Sequence, residues 1–310
     1  MKIAIIGAGA MGSLFGAYLS EGGNEVHLVD VWREHVDAIN RDGLRIKEED
    51  KERTVFLRAL TDPGELGPQD LVVLFVKSYH TADAIKKCTN LLGQSIPVLT
   101  LQNGFGNAEI IYEIVGQRAK VIAGTTAHGA TVLGPGIIRH AGRGETVIGN
   151  YGENNDKLVH DIAGEFNRCL LETRVSNNIT GVIWGKLLVN VGINALTAIC
   201  GVPNGKLLEI GGTRRLMQLL VSEGERVARA RGVQLPYPDA WEKVQAVARA
   251  TGSNRSSMLQ DLERGRETEI DFINMAIVRE GRKSGIPTPY NKFVSLLVKA
   301  LEEKNKNRLW

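Results

Sequence analysis

Residues 2–12 read Lys2-Ile3-Ala4-Ile5-Ile6-Gly7-Ala8-Gly9-Ala10-Met11-Gly12. The first five are a short, β-branched run of the kind buried in a parallel sheet. The next six fit G-x-G-x-x-G. Gly7 permits a tight turn, Gly9 lets backbone reach a pyrophosphate, and Gly12 lets helix and strand pack closely. Phosphates would then meet the N–H groups of Ala8, Ala10 and Met11 around a helix N-terminus. Alone the pattern is weak, and a glycine-rich structural turn competes with it. Here it follows a strand and opens a helix over about Met11–Glu21, which Gly22-Gly23-Asn24 stops. A second strand, Glu25–Asp30, then ends in an acid, which is the context the motif requires. Asp30, 18 residues after Gly12, would accept hydrogen bonds from ribose hydroxyls and repel a 2′-phosphate, favouring NADH. Arg33 could instead grip that phosphate, so NADPH stays open, and Asp30 could simply cap the helix that follows.

Working outward, Trp32–Asp42 reads as a helix and Thr54–Ala59 as an edge strand. Leu71–Val76, Ile96–Thr100 and Val121–Thr125 read as buried strands, an alternation that indicates a doubly wound sheet. Gly134-Pro135-Gly136 lies between Ala130–Val132 and Ile137–Ile138, a hairpin leading into Thr146–Ile148. Beyond about Val175 only helical patterns remain: Asn178–Cys200, Thr213–Arg231, Pro238–Thr251, Ser257–Arg264, Thr268–Ser284 and Pro289–Lys304. The expected architecture is α/β, an N-terminal Rossmann-type doubly wound parallel sheet plus an all-helical C-terminal domain. Residues 1–175 would form the dinucleotide-binding domain and 176–310 the helical substrate and catalytic domain.

Composition agrees with a globular chain of about two domains: 310 residues, 43% hydrophobic and 24% charged. Disorder, collagen and coiled coil are excluded. A formal charge of +3 gives no field favouring nucleic acid or an anionic membrane. Arg214-Arg215 and the tail Lys304–Arg308 read as solvated surface. Cys88, Cys169 and Cys200, odd in number and far apart, make neither a disulfide framework nor a zinc site, and read as reduced core residues of a cytoplasmic protein. Lys2 followed by apolar Ile3–Leu19 could pass for a signal peptide, but its glycine pattern fits a buried βα unit better. No window reaches the roughly 18 uninterrupted apolar residues of a membrane span. No metal site is expected.

The segment 184–196, Trp-Gly-Lys-Leu-Leu-Val-Asn-Val-Gly-Ile-Asn-Ala-Leu, has the most informative spacing. Lys186, Asn190 and Asn194 are four apart, so they share one stripe of a helix. The rest of that helix is apolar nearly all round, so it should be buried, where a lysine and two asparagines are costly unless partnered. A solvent-facing stripe is the alternative. A buried amine beside a reduced nicotinamide could protonate a ketone oxygen as hydride reaches its carbon, because burial moves a lysine towards neutrality. Further on, Asn254 or one of Ser256 and Ser257 would cap a helix. Thr268 with Asp271 makes a near capping box that leaves Glu269 at the first helical position. Capping alone would explain that whole segment.

Taken together, the chain resembles the ketopantoate reductase (2-dehydropantoate 2-reductase) family along its whole length. The carriers are GAGAMG at the start, VKSYHT at 76–81, QNG at 102–104, GTTAHGA at 124–130 and WGKLLVNVGINALTAI at 184–199. PNG at 203–205, SSMLQD at 256–261 and TEIDFIN at 268–274 complete the series. The resemblance implies NAD(P)H-dependent reduction of 2-dehydropantoate to pantoate on the coenzyme A route. It implies that Lys186 is the catalytic proton donor, with Glu269 the carboxylate near the nicotinamide ribose and the lysine. Asn190, Asn194, Asn204 and Ser257 would bind substrate, with Asn254 nearby. Asn103 would touch both cofactor and substrate, and Lys77 and Ala130 the cofactor. It thus overturns the capping reading for Ser257 and Glu269. Two departures stand out. Family members commonly use NADPH, with a basic residue at or just after the second strand, where this chain places Asp30 first; and Met275 replaces a usual glycine, for which a local packing change is expected. The partner is then a small 2-keto acid, with no nucleic acid or membrane; the sequence leaves the oligomeric state open, a homodimer among the options. Another 2-keto or 3-hydroxy acid dehydrogenase of the same plan, or a dinucleotide sensor without turnover, are the alternatives.

Overall fold

The computed structural model describes residues 1–49, 51–92, 96–152 and 155–307, so Arg308 of the basic tail lies outside the described residues. The chain divides into two compact units. One comprises 1–102 and 107–179, the other 103–106 and 180–310. The division falls a few residues beyond 175, and the short Asn103–Gly106 segment leaves the first unit for the second.

In the first unit, twelve strands are found among the described residues: β1 Lys2–Ile6, β2 Glu25–Val29, β3 Leu44–Glu48, β4 Lys51–Val55, β5 Arg58–Leu60, β6 Leu71–Leu74, β7 Ile96–Thr100, β8 Ala119–Thr126, β9 Gly129–Gly134, β10 Ile137–Gly142, β11 Thr146–Asn150 and β12 Thr173–Val175. Helices α1 Ala10–Glu21, α2 Arg33–Asp42, α3 Thr81–Lys87, α4 Asn107–Val115 and α5 Asp156–Arg168 connect them. The main sheet has the order β12-β11-β8-β7-β6-β1-β2-β5. Its neighbours are parallel except β11, which runs antiparallel to β8. The strand order reverses at β1, which lies between β2 and β6. Ligands of such sheets bind at this switch point, beyond the carboxyl ends of the strands.

The expected single edge strand at Thr54–Ala59 is two strands in two sheets. β5 edges the main sheet beside β2, whereas β4 pairs with β3 in a second sheet of order β4-β3-β10-β9. The chain crosses between them at Phe56, whose ring is 77% exposed. A short apolar run carries no record of which sheet each half joins. The 134–136 hairpin forms as β9 and β10, in this second sheet. Ile3, Ile5, Leu14, Phe15 and Leu28 are fully buried, so Lys2–Leu19 is a core βα unit.

The second unit is helical: α6 Ile179–Cys200, α7 Lys206–Glu209, α8 Gly211–Ala230, α9 Ala240–Ala250, α10 Ser257–Glu263, α11 Asn274–Lys283 and α12 Pro289–Lys306. α6 is its core element. Trp184, Leu188, Val191 and Ala195 are almost wholly buried against the other helices. It is long and apolar enough to cross a membrane by length and composition, yet two thirds of its most apolar window is buried in the protein, as in a core helix. Glu223 of α8 caps α12 from a distance, accepting the N–H groups of Tyr290 at 3.0 Å and Asn291 at 2.9 Å.

Two expectations need correction. Thr268–Ser284 is not one helix: a 3₁₀ turn at Ile270–Phe272 precedes α11. The Phe272 carbonyl, which a continuous helix would use internally, accepts the Phe105 N–H at 2.8 Å. That contact from the 103–106 segment diverts the helix at its start. Thr268 therefore makes a local turn, its hydroxyl accepting Ile270 N–H at 3.2 Å, and the capping box does not form. Cys200 is exposed rather than in the core, because it is the last residue of α6, whereas Cys88 and Cys169 are buried and all three are free.

Candidate active site

The glycine turn sits at the carboxyl end of β1. Gly7 has φ +97°, and a Cβ on it would stand 2.5 Å from Val76 N, just beyond β6. A Cβ on Gly12 would stand 1.9 Å from the Gly7 carbonyl oxygen. Gly9 differs: a Cβ there would meet nothing within 4 Å, so the second glycine borders open space at the N-terminus of α1. No side chain caps that terminus, where Gly9 is the N-cap. Close packing at Gly7 and Gly12 with free room at Gly9 is what a pyrophosphate cradle needs.

Asp30 follows β2 and is half-buried. Its Oδ1 accepts Trp32 N–H at 3.0 Å, forming a local turn. The N-cap of α2 is Trp32, without a side-chain cap bond, so Asp30 is not the helix cap. Its carboxylate is thereby fixed at the strand end. Arg33 is exposed one residue after Trp32. Lys77 follows β6 and Ala130 lies at the start of β9, both half-buried.

In the second unit, Lys186 and Asn190 are partly buried and Asn194 is 7% exposed, so the stripe faces inward rather than to solvent. Burial lowers the Lys186 amine from its ordinary 10.5 to about 8, with the Glu269 carboxylate pulling the other way. That carboxylate is itself buried and close enough to act on the amine. Breaking the 268–284 helix is what places Glu269 ahead of the 3₁₀ turn, within reach of Lys186. The Phe105 ring lies 5.1 Å from that of Trp184, two residues before the lysine. The segment carrying Asn103 is thus anchored beside Lys186 through Trp184 and beside Glu269 through Phe272.

Asn204 and Asn254 meet through backbone, Asn204 N–H donating to the Asn254 carbonyl at 3.0 Å. The Asn204 amide nitrogen donates to Thr251 at 2.9 Å, leaving its buried Oδ1 without a partner among the described residues. Asn254 and Ser257 are exposed. The cap of α10 is Ser256, which accepts Leu259 N–H at 3.1 Å and holds the Thr197 hydroxyl of α6 at 2.7 Å. Ser257 is thereby left free of capping. Sequence reading passed over Thr197 and Tyr237, whose hydroxyl donates to the Gly185 carbonyl at 2.9 Å. Thr197 lies three residues past Asn194, a spacing that could have revealed it; Tyr237 left no local signal. Ser256→Ala is expected to lose about 0.5–2 kcal/mol with the cap. A urea midpoint equal to wild type would contradict the linkage.

A Rossmann-type sheet with a glycine cradle, and a helical unit that buries a lysine beside a glutamate, define a dinucleotide-dependent oxidoreductase. The chain belongs to the ketopantoate reductase family. The model "Ketopantoate reductase PanE/ApbA" matches residues 3–153 and its C-terminal counterpart residues 178–302. A 2-dehydropantoate 2-reductase of Halobacterium salinarum is 40% identical over 96% of this chain and 98% of its own. One from Pyrococcus abyssi is 39% identical over 97% and 98%. Among solved structures, a PanE/ApbA family ketopantoate reductase from Ralstonia eutropha superposes with a TM-score of 0.90 at 36% identity, covering 99% of this chain and 100% of its own. D-mandelate dehydrogenase, solved with NADH and anilino(oxo)acetate, gives 0.93 at 33%, with 99% and 100% covered.

Proposed function

We propose that this protein reduces 2-dehydropantoate to pantoate in the cytoplasm, serving coenzyme A synthesis. The observation that carries the reading is Lys186, on a helix that also presents Asn190 and Asn194, with the buried Glu269 carboxylate close enough to act on its amine. The nicotinamide dinucleotide, when bound, supplies the hydride for the C2 carbonyl. Lys186 holds the proton delivered to the carbonyl oxygen, and Glu269 steadies the ammonium. Asn103, Asn190, Asn194, Asn204, Asn254 and Ser257 offer neutral polar groups that orient a small hydroxylated keto acid without adding charge. Gly7 to Gly12, Asp30, Lys77, Asn103, Ala130 and Glu269 would hold the dinucleotide. The substrate is a small molecule, and neither nucleic acid nor membrane takes part. The assembly is a homodimer, which size-exclusion chromatography with light scattering checks.

NADH is the preferred cofactor in this reading, because the Asp30 carboxylate at the end of β2 repels a 2′-phosphate. Asp30→Asn should shift the NADPH-to-NADH preference about tenfold towards NADPH, since like charges near 4 Å cost about 1–4 kcal/mol at a surface. An unchanged ratio removes Asp30 from cofactor choice. The central test follows nicotinamide absorbance with ketopantoate, run with NADH and NADPH in parallel. A clear preference for pyruvate, or for the keto acid of mandelate, would defeat the ketopantoate reading; absence of turnover with every keto acid would defeat catalysis.

A further inference from the structure

A buried run of hydrogen bonds leads from the hairpin of the second sheet to the glycine turn and takes no part in the chemistry above. It joins Gly136, between β9 and β10, to His35 of α2 and Ser13 of α1. Gly136 N–H donates to His35 Nδ1 at 3.0 Å. His35 Nε2 lies 3.3 Å from Ser13 Oγ, and Ser13 Oγ lies 2.7 Å from the Ala8 carbonyl oxygen. Both side chains are wholly buried. The Trp32 ring stacks on His35, centroids 5.0 Å apart and planes 8° apart, and this holds the imidazole in one orientation.

Each proton here has one place. A backbone N–H only donates, so His35 Nδ1 is the bare nitrogen. A carbonyl only accepts, so the Ser13 hydroxyl gives its hydrogen to Ala8 and turns a lone pair to His35. The ring proton is then on Nε2, donated to Ser13, and the imidazole is neutral. Burial agrees with this state. It outweighs the Asp30 carboxylate and the Ala8 carbonyl, which favour the charged ring, and lowers His35 from the ordinary histidine value. The effect reaches the cradle through a single peptide plane. The Ala8–Gly9 peptide is planar and trans, so its C=O and N–H point in opposite directions. With the Ala8 carbonyl held towards buried Ser13, Gly9 N–H is turned the other way. That N–H has no partner among the described residues. A Cβ on Gly9 would meet nothing within 4 Å beyond its two chain neighbours, so the donor stands where there is room for an acceptor.

We propose that Ser13 and His35 are positioning residues for the dinucleotide: together they fix the Ala8–Gly9 peptide so that Gly9 N–H donates to a pyrophosphate oxygen. The proposal rests on the dinucleotide reading of the first unit. Ser13→Ala removes one buried hydroxyl with little change in volume. In fluorescence titration NADH affinity should fall about tenfold, as for one hydrogen bond to a charged group. ADP, which carries the diphosphate without the nicotinamide, should lose the same factor in competition. KM for NADH should rise with kcat at saturating NADH near the wild-type value, because Lys186 lies in the other unit. Two changes at His35 separate its bonds. His35→Gln keeps an amide N–H₂ where Nε2 donates, and His35→Asn keeps an oxygen where Nδ1 accepts. The glutamine variant should bind NADH more tightly than the asparagine variant, although it loses the tie to Gly136. Affinities that follow the thermal midpoints instead would make His35 a structural residue only and overturn its part. In a chain carrying nitrogen-15 glycine, the Gly9 amide signal, identified by its absence from Gly9→Ala, should move downfield as ADP or NADH binds, and less so in Ser13→Ala. A wild-type Gly9 signal indifferent to ligands that do bind overturns the proposal whether or not any variant folds. So does Ser13→Ala with unaltered affinity. A wild-type chain that binds none of NADH, NADPH and ADP refutes the dinucleotide reading itself.

Discussion

Lys186→Ala is expected to lower kcat with ketopantoate by about 10²–10⁴-fold, the usual loss on removing a positioned proton donor. Substrate binding should change far less, because the asparagines remain on α6 and on the loops around it. The pH profile carries a second signature. Reduction consumes a proton, so the working form is the ammonium, and the amine titrates at about 8. With substrate well below KM, kcat/KM, which reports the free enzyme, should be level below about pH 8. Above it, kcat/KM should fall about tenfold per pH unit, since each unit removes nine tenths of the remaining ammonium. The reverse oxidation of pantoate needs the neutral amine and should rise over the same range. In the alanine variant this limb should vanish. A variant that keeps full kcat, or the same alkaline limb, removes Lys186 from the mechanism.

Gly12→Ala should abolish measurable NADH binding and lower stability. The added methyl would stand 1.9 Å from the Gly7 carbonyl oxygen, which is backbone and cannot turn aside. Relief requires α1 to move off β1, and this opens the cradle around Gly9. Overpacking of this kind costs about 1–3 kcal/mol, occasionally more. Fluorescence titration with NADH and a thermal midpoint measure the two effects. Gly9→Ala is the informative contrast, since beyond its two chain neighbours its methyl meets no atom of the described residues within 4 Å. It should fold as wild type and lose affinity only through contact with the phosphates. Equal stability losses at both positions would show that Gly9 is a structural glycine.

The alternation of β-branched runs with amphipathic segments was enough to read the main strands and most helices, because strand and helix periodicities are local. The same holds for the glycine turn and for the Lys186, Asn190 and Asn194 stripe, whose members share one face of a single helix. The capping box at Thr268 was misread because its failure originates in Phe105, more than 160 residues away, taking the Phe272 carbonyl. The edge strand at Thr54–Ala59 was misread for a related reason, since sheet membership is settled by distant partners. Ser256 as the cap, among three candidates, was decided by Thr197 on another helix.

By itself the sequence determined what depends on neighbours along the chain: element type, the turn at Gly7–Gly12, the inward stripe of α6, and family membership through ordered motifs. Only the tertiary structure decided what depends on contacts between distant segments. It assigned the Asn103 segment to the helical unit, set Glu269 against Lys186, and gave the amine its lowered titration point. Desolvation belongs to an environment built from many segments, and no stretch of sequence contains that environment.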